Sequence, residues 1–324
     1  MRAIRRLLPL LLVLGCGTSK YDAGKEGGVR LEYGLAEAPG TGDTSSDEML
    51  DEAAQVIFER LKELGEFKYG VSRRGTSILV DMPGFDDSKM LEREKRIIGM
   101  TGRLEFHIVD EVGSEELLVG VSEKLPKDGP VKVLWEQVVV GERVVKSYYL
   151  AAKDDLKSGR SGRDILRELL KAIEIPQDRV IGYEKYREVD EAGNPSSGVM
   201  WRTYYLERTA ELTGAYLESA AVFNDEQTGQ PYVSLDFNQA GGKLFEELTA
   251  RNVKRRLAIQ VDDQVQSAPT IQEKIPGGRC RVTLGAYESA DRLRREAWNL
   301  VVVLRAGALP APIRLLKEEL IKPR

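Results

Sequence analysis

The stretch 27–111 constrains the fold more than any other part of the sequence, because its hydrophobic pattern switches between two periods. Alternating apolar residues are typical of strands, and apolar residues three or four apart are typical of one helix face. The predicted elements are strands at Val29–Tyr33, Lys68–Arg73, Thr76–Met82 and Leu104–Ile108 and helices at Leu50–Leu64 and Asp87–Ile98. This order predicts a split βαβ, ferredoxin-like base with an antiparallel sheet, since crossover handedness leaves essentially one topology.

The middle of the chain carries weaker patterns. Val131–Val140 and Arg143–Tyr149 are predicted to pair as a hairpin that turns at Gly141. Apolar residues between Ile165 and Ile173 recur at helical spacing and predict a short helix. The segment Glu191–Gly198 is rich in Gly, Asn, Pro and Ser and predicts the turn of a second hairpin. We find no catalytic pattern here and predict an elaboration of the fold.

The last third of the chain is regular again. Short strand and helix patterns between Val222 and Leu284 are followed by a long apolar helix that starts near Glu288. The helix must end within Leu300–Pro312, because Gly307 permits positive φ and two prolines forbid helix continuation. Ile313–Glu319 then predicts a strand that could return to the first sheet.

The N-terminus has the layout of a secretory leader. Arg2, Arg5 and Arg6 precede an apolar run, Leu7–Leu14, of about 8 residues. That run is far short of the roughly 20 residues needed to span a bilayer. Cys16 ends the run in a lipobox-like context, so we expect it to be the lipid attachment residue, with an ordinary cleaved leader as the alternative. Lipidation of Cys16 would leave one thiol and therefore no internal disulfide.

Composition favours neither nucleic-acid binding nor catalysis. The chain has 48 basic and 52 acidic residues and a net charge of −4, so no basic excess indicates nucleic acid. His107 is the single histidine, and we interpret it as a residue on the polar face of a strand. Cys280 is interpreted as a small buried hydrophobe.

The acidic pairs of the sequence do not alter this interpretation. Asp86-Asp87 and Asp262-Asp263 lie on predicted turns, where neighbouring side chains diverge rather than converge on a substrate or metal. One histidine and one remaining cysteine exclude the usual zinc ligand sets. We therefore predict no catalytic residue, no metal site and no cofactor, and expect that the protein is not an enzyme.

A series of short segments, each weak alone, follows one another in a characteristic order. They are Gly27-Gly28, Leu61–Gly65, Ile78–Gly84, Thr101–Phe106, Leu212–Gly214, Asp225–Pro231, Val233–Leu235, Arg256–Ile259, Ser267–Pro269, Ile271–Glu273, Gly277-Gly278 and Leu304–Pro312. Together they cover about two thirds of the mature chain. In content and order they resemble the large first periplasmic domain of the SecD family, the accessory subunit of the bacterial Sec translocon.

The resemblance implies a division of the chain into a base and a head. The expected parts are a lipoprotein leader at 1–15, a tether at 16–26, the ferredoxin-like base at 27–111, an insert at 112–200, a SecD-like head at 201–311 and a returning strand at 312–324. The family motif in Leu304–Pro312 would position head against base without chemistry of its own. Its residues are Arg305, Gly307, Leu309 and Pro310. The overall fold class is α+β with no transmembrane helix.

The resemblance also implies a function in protein export. We expect a lipid-anchored module on the periplasmic side of the cell envelope that contacts emerging polypeptide, with Sec translocon subunits and exported unfolded polypeptides as partners. The sequence does not identify the contact residues; strands such as Tyr232–Phe237 are candidates, although their apolar residues fit a core.

Two departures from the family keep alternatives open. SecD proteins begin with a transmembrane helix and continue into membrane helices that carry proton coupling, whereas this sequence starts with a lipoprotein-like leader and stops at Arg324. Proton-driven pulling of the exported polypeptide, which the family's membrane helices perform, is therefore not inferred for this chain alone. The alternatives are a co-opted envelope lipoprotein that serves as an interaction scaffold, and a split system whose membrane half is encoded separately. Gly17 after the cysteine hints at the outer membrane, so inner and outer membranes both stay open.

Overall fold

The computed structural model describes residues 27–36, 46–65, 69–83, 88–123, 125–126, 129–188, 198–285 and 289–322. The chain divides into two compact units. The first unit extends to Lys95 and takes up the chain again at Ile313, and the second unit comprises residues 96–312. The predicted leader and tether, with Cys16, lie outside the described residues.

The secondary structure alternates short helices with many strands. In chain order the elements are β1 (Gly28–Leu35), α1 (Ser46–Leu64), β2 (Gly70–Arg74), β3 (Ser77–Pro83), α2 (Ser88–Gly99), β4 (Leu104–Ile108), α3 (Glu111–Ser122), β5 (Val131–Val140), β6 (Arg143–Lys153), α4 (Gly162–Leu170), β7 (Arg179–Tyr186), β8 (Met200–Glu207), β9 (Leu212–Thr213), β10 (Leu217–Asn224), β11 (Pro231–Phe237), α5 (Gln239–Arg251), β12 (Leu257–Val261), β13 (Gln264–Ser267), β14 (Arg279–Thr283), α6 (Ala290–Ala306) and β15 (Ile313–Ile321). This confirms the predicted α+β class.

The first unit is built on a four-stranded antiparallel sheet with the order β15-β1-β3-β2. Strand β1 shows the predicted alternation, because Val29, Leu31 and Tyr33 are buried in the core. On its other face Arg30 donates from Nε to Asp81 Oδ1 of β3 at 2.6 Å. The period-2 pattern thus assigns one face of β1 to the core and the other to polar contacts.

The fourth strand of this sheet corrects the sequence prediction. Leu104–Ile108 was expected to complete the base, but β15 occupies that position and pairs with β1 from Gly28↔Ile321 to Leu35↔Ile313. Strand β4 instead pairs with β12 and β9 in the second unit. Four of its five residues are buried, so it needs a sheet covered on both faces, which local periodicity does not reveal.

The second unit contains two sheets. The larger has eight strands in the order β5-β6-β8-β7-β13-β12-β4-β9, and the smaller has three in the order β10-β11-β14. Between them lies a core in which Phe106, Phe237 and Phe245 pack with ring centroids 5.5–6.2 Å apart. Helix α6 contributes the buried residues Leu293, Ala297, Leu300, Val301 and Leu304 to this core.

The predicted insert is not separate from the predicted head. The hairpins β5–β6, with Gly141 at φ 62°, and β7–β8 form as expected. However, β7 also pairs in parallel with β13 at Tyr183↔Gln264, which joins 112–200 and 201–311 in one sheet. The predicted boundaries at 111 and 200 therefore fall inside the second unit, whose limits are 96 and 312. None of the helices in the described ranges combines the length and hydrophobicity that a membrane crossing requires.

Candidate functional site

The motif residues of Leu304–Pro312 form a helix end that is anchored within the second unit. Gly307 has φ 85°, the left-handed region that favours glycine, and its N–H reaches Leu304 O at 3.3 Å. Arg305 donates from Nε to Ala220 O at 2.8 Å. Leu309 is buried and its N–H donates to Thr101 O at 2.7 Å, and Pro310 follows it. These contacts fit a structural motif; its role between base and head stays a prediction.

The position of His107 corrects the expectation of a strand surface. The side chain is only 3% exposed, because β4 is paired with strands on both sides inside the eight-stranded sheet. Its Nδ1 lies 2.8 Å from Glu207 O, and its Nε2 is 3.7 Å from Glu105 Oε2, beyond hydrogen-bond distance. His107 is thus a core residue tied to β8 and not part of an open site.

The acidic pair Asp262-Asp263 diverges, as the turn predicts. Asp262, at φ 61°, accepts the N–H groups of Thr101 and Arg103 at 3.1 and 3.0 Å. Asp263 forms ion pairs with Arg163 and Arg167 of α4. Both carboxylates serve local structure, and within the described ranges no group of His, Cys, Asp or Glu is placed to hold a metal ion.

Two further expectations about buried residues are confirmed. Cys280 lies in β14 and is buried, and its burial raises the pKa of the thiol to about 12, so the thiolate is disfavoured. In β11, Val233, Leu235 and Phe237 are core residues. The side chains of Val233, Leu235 and Phe237 are therefore not available to a polypeptide, whereas Tyr232 is partly exposed.

An open cleft in the second unit is the candidate binding site. It has a volume of about 320 Å³ and lies where the ends of β7, β8 and β13 meet α6 and the C-terminal end of α2. Its apolar and aromatic lining comprises Met100, Tyr186, Trp201, Val265, Leu284 and Leu300. Such a surface, with a volume at the lower end of the range of ligand pockets, can accept a few apolar side chains of a ligand.

Charged side chains frame this apolar lining. Arg96, Arg163, Lys185 and Arg187 line the cleft, whereas Glu296 is the one carboxylate among the described lining residues. This local excess of positive charge contrasts with the net charge of −4 of the chain. The sequence did not reveal it, because these residues come from elements far apart in the chain.

One wall of the cleft is held by aromatic and ionic contacts. The Arg163 guanidinium lies 5.9 Å from the ring centroid of Tyr183 and 5.7 Å from that of Trp201, and it pairs with Asp263. Burial, and then the charge of Arg167, lower the pKa of Arg163 below its ordinary value. The indole Nε1 of Trp201 donates to Asp154 Oδ1 at 3.1 Å. This wall is thereby preorganised.

A second set of charges in the same unit is centred on the buried pair Arg256 and Glu111; we call it the Arg256 network. Arg256 donates from Nη2 to Glu111 Oε2 at 2.8 Å and from Nη1 to Glu136 Oε1 at 2.6 Å. Arg202 lies beside it, with Nε 2.5 Å from Glu184 Oε2 and Nη1 3.3 Å from Glu136 Oε2. Beyond the three paired positions of β6 and β8, the two strands are linked by a hydrogen bond from Leu150 N to Thr203 Oγ1 at 3.0 Å.

Tyr204 completes the Arg256 network. Its ring lies under both guanidinium groups, 4.9 Å from that of Arg202 and 5.3 Å from that of Arg256. Its hydroxyl donates to Glu184 Oε2 at 3.1 Å. Burial, followed by the negative charge of Glu184, raises the pKa of Tyr204 well above its ordinary value. Every cation here has a carboxylate partner.

Fold and cleft together define an α+β module whose second unit contains an open cleft lined by charged residues. Residues 189–311 of this unit match the family of the SecDF P1 head subdomain. The chain is 32% identical over 278 residues to the protein translocase subunit SecD of Calditerrivibrio nitroreducens, covering 86% of the chain and 41% of that relative. It is 30% identical over 307 residues to SecD of Endomicrobium trichonymphae, covering 94% and 54%.

Solved structures agree with these sequence relatives. A SecDF structure, described as a membrane component that enhances protein export, superposes with a TM-score of 0.53 at 26% identity and covers 89% of this chain and 98% of its own. SecDF in a super-membrane-facing form superposes with a TM-score of 0.55 at 23% identity, covering 94% of this chain and 32% of its own, and shows the shared fold. These matches support the first periplasmic domain of the SecD family as the counterpart of this chain. The chain spans about two fifths to one half of the length of the curated relatives.

Proposed function

We propose that this chain is a SecD-like periplasmic module that assists Sec-dependent export by contacting polypeptide as it emerges from the translocon. The observation that carries the proposal is the open cleft, which lies in the unit that contains the P1 head match. The related SecDF structure is described as one of a component that enhances protein export. Its partners would be Sec translocon subunits and exported unfolded chains.

The cleft has features suited to extended chains of varied sequence. Its apolar lining, including Met100, Leu284 and Leu300, offers transient burial to whichever apolar side chains pass. Its charged residues keep it hydrated and limit the affinity. Weak, reversible contact is what a module needs if it must release each segment in turn.

The proposal assigns no catalytic role to the chain. His107 and Cys280 are buried, and Asp262 and Asp263 are engaged in local structure. Anchoring by acyl chains at Cys16 is part of the proposal and would hold the module at the periplasmic surface of a membrane. Metabolic labelling with a fatty acid, compared between the native chain and Cys16→Ser, tests this part directly.

Site-directed photocrosslinking tests polypeptide contact. A photoreactive residue at Gln266, which lines the cleft, should crosslink to exported precursors while export is active. The matched control is Lys243, an exposed residue of α5 in the same unit that does not line the cleft. Crosslinks from Gln266 to precursors but not from Lys243 support the proposal. Crosslinks to folded envelope proteins alone would favour an interaction scaffold instead.

A further inference from the structure

We infer that the cleft selects, among extended polypeptide segments, those that carry carboxylate side chains. The inference rests on the proposed function and adds a ligand class to it. The chain as a whole is acidic, with a net charge of −4, yet the described lining of the cleft has four cations and one carboxylate. A local charge opposite in sign to that of the whole chain marks a surface that attracts anions selectively.

The cations of the cleft differ in what they can offer. Arg163 is half-buried against Tyr183 and Trp201 and paired with Asp263, so it shapes the wall. Lys185 lies in β7 and is the direct strand partner of Trp201 in β8. Arg187 follows the end of β7 and already has an interaction partner within the chain, so it is not counted among the cations offered to a ligand. Lys185 therefore supplies a cation beside the aromatic part of the lining.

The remaining charged residues complete an arc around the apolar lining. Arg96 is exposed at the end of α2. Glu296 of α6 lies 3.4 Å from Arg292, so its negative charge is partly offset. A bound segment could thus place apolar side chains on Leu284 and Leu300 while its carboxylates meet the cations. A basic segment would meet repulsion at the same positions.

The preference should be electrostatic and therefore sensitive to salt. The cleft is open to solvent, and at physiological ionic strength charges further apart than about 8 Å are largely screened. Each cation then contributes modestly, as rim charges do in other interfaces. We therefore expect the difference in binding affinity between acidic and neutral peptides to shrink as salt is added.

Peptide binding to the full chain measures this preference. Three fluorescent peptides share one apolar, extended framework and differ only in alternate positions, which are Asp, Ser or Lys. At low salt we expect affinity to follow the order Asp, Ser, Lys, with about a three- to tenfold step between the first two. The double variant Lys185→Gln with Arg96→Gln should lose that step and leave the Ser peptide unchanged.

Matched variants keep the result interpretable. Lys243→Gln with Arg294→Gln changes net charge equally at exposed residues outside the lining and should retain the step. Glu296→Gln should increase the difference in affinity between the Asp and Ser peptides, because this substitution removes the carboxylate of the described lining. Equal binding of the Asp and Ser peptides to the native chain would overturn the inference and leave the proposed function standing. Failure of all three peptides to bind would overturn both.

Discussion

The cleft and the Arg256 network use the same residue types in opposite ways. In the network, Arg256 is buried and Arg202 largely buried, and each contacts carboxylates and the ring of Tyr204. In the cleft, Lys185 and the exposed Arg96 belong to a described lining in which cations outnumber carboxylates. The difference teaches that charge neutralised by partners holds sheets together, whereas charge left open to solvent is available to a ligand.

The largest expected effect comes from breaking the network. Arg256→Met leaves Glu111, whose side chain is 2% exposed, without its cation. We expect a loss of about 3–5 kcal/mol in the free energy of unfolding, because an uncompensated buried charge is costly. Urea denaturation measures it. The double variant Arg256→Met with Glu111→Met should recover much of the loss, and a single variant as stable as the native chain would contradict the comparison.

A smaller effect is expected at Tyr204, and it should depend on pH. Tyr204→Phe removes the hydrogen bond to Glu184 and should cost about 1–2 kcal/mol at neutral pH. The raised pKa of Tyr204 means that the folded state keeps a proton that the unfolded state loses above about pH 10. Stability conferred by this group is therefore full below pH 10 and falls above it, by up to about 1.4 kcal/mol per pH unit.

Unfolding measured at pH 9.5 and at pH 11 separates the contribution of the hydrogen bond to Glu184 from that of the ionisation of Tyr204. The native chain should lose more stability between these values than Tyr204→Phe does, since the variant lacks the titrating group. Equal losses in the two proteins would show that Tyr204 is not protected from ionisation.

Asp263 is intermediate between the Arg256 network and the cleft, because it neutralises Arg163, a cation that also lines the cleft. Asp263→Asn removes the ion pairs with Arg163 and Arg167. We expect a loss of about 1 kcal/mol, since the carboxylate is partly exposed and its pairs are screened by solvent. The affinity of the Asp peptide should rise in the same variant. A fall in affinity would indicate that Asp263 acts by positioning Arg163 and not by offsetting its charge.

The smallest expected effect on stability is in the cleft itself. Lys185→Gln with Arg96→Gln should change the free energy of unfolding by less than about 0.5 kcal/mol, because Arg96 is exposed and Lys185 is partly exposed. Thermal unfolding compared with Lys243→Gln and Arg294→Gln checks this. A loss comparable to that of Arg256→Met would place the two residues among the structural charges and remove the contrast.

Local sequence patterns predicted the helices and strands themselves better than they predicted which strands pair with one another. The helix at Leu50–Leu64 and the hairpin at Gly141 formed as predicted, because amphipathic periodicity and a left-handed turn are local properties. The predicted sheet partners of β4 were wrong, because its pairing with β12 depends on residues about 150 positions away in the chain. Helix α3 was missed, although Asp110, which accepts from Gly113 N at 2.9 Å, is a recognisable N-cap.

The candidate site was not predictable in the same way. Arg96, Lys185 and Glu296 have no meaningful spacing in sequence and meet only through the parallel pairing of β7 with β13 and the placement of α6. The single parallel position Tyr183↔Gln264 brings two predicted domains together. No period or motif encodes such a long-range contact.

The pairing of β15 with β1 has a consequence for the order in which the protein can form. Roughly 230 residues separate the end of β3 from the start of β15, so β1 lacks one of its two neighbours until the whole second unit has followed it along the chain. If the chain is exported unfolded, as proposed above, that edge stays open until the last strand has emerged. The unit that starts the chain is thus the one that closes after the other is complete, and β1 is exposed to misplaced strand addition during that interval.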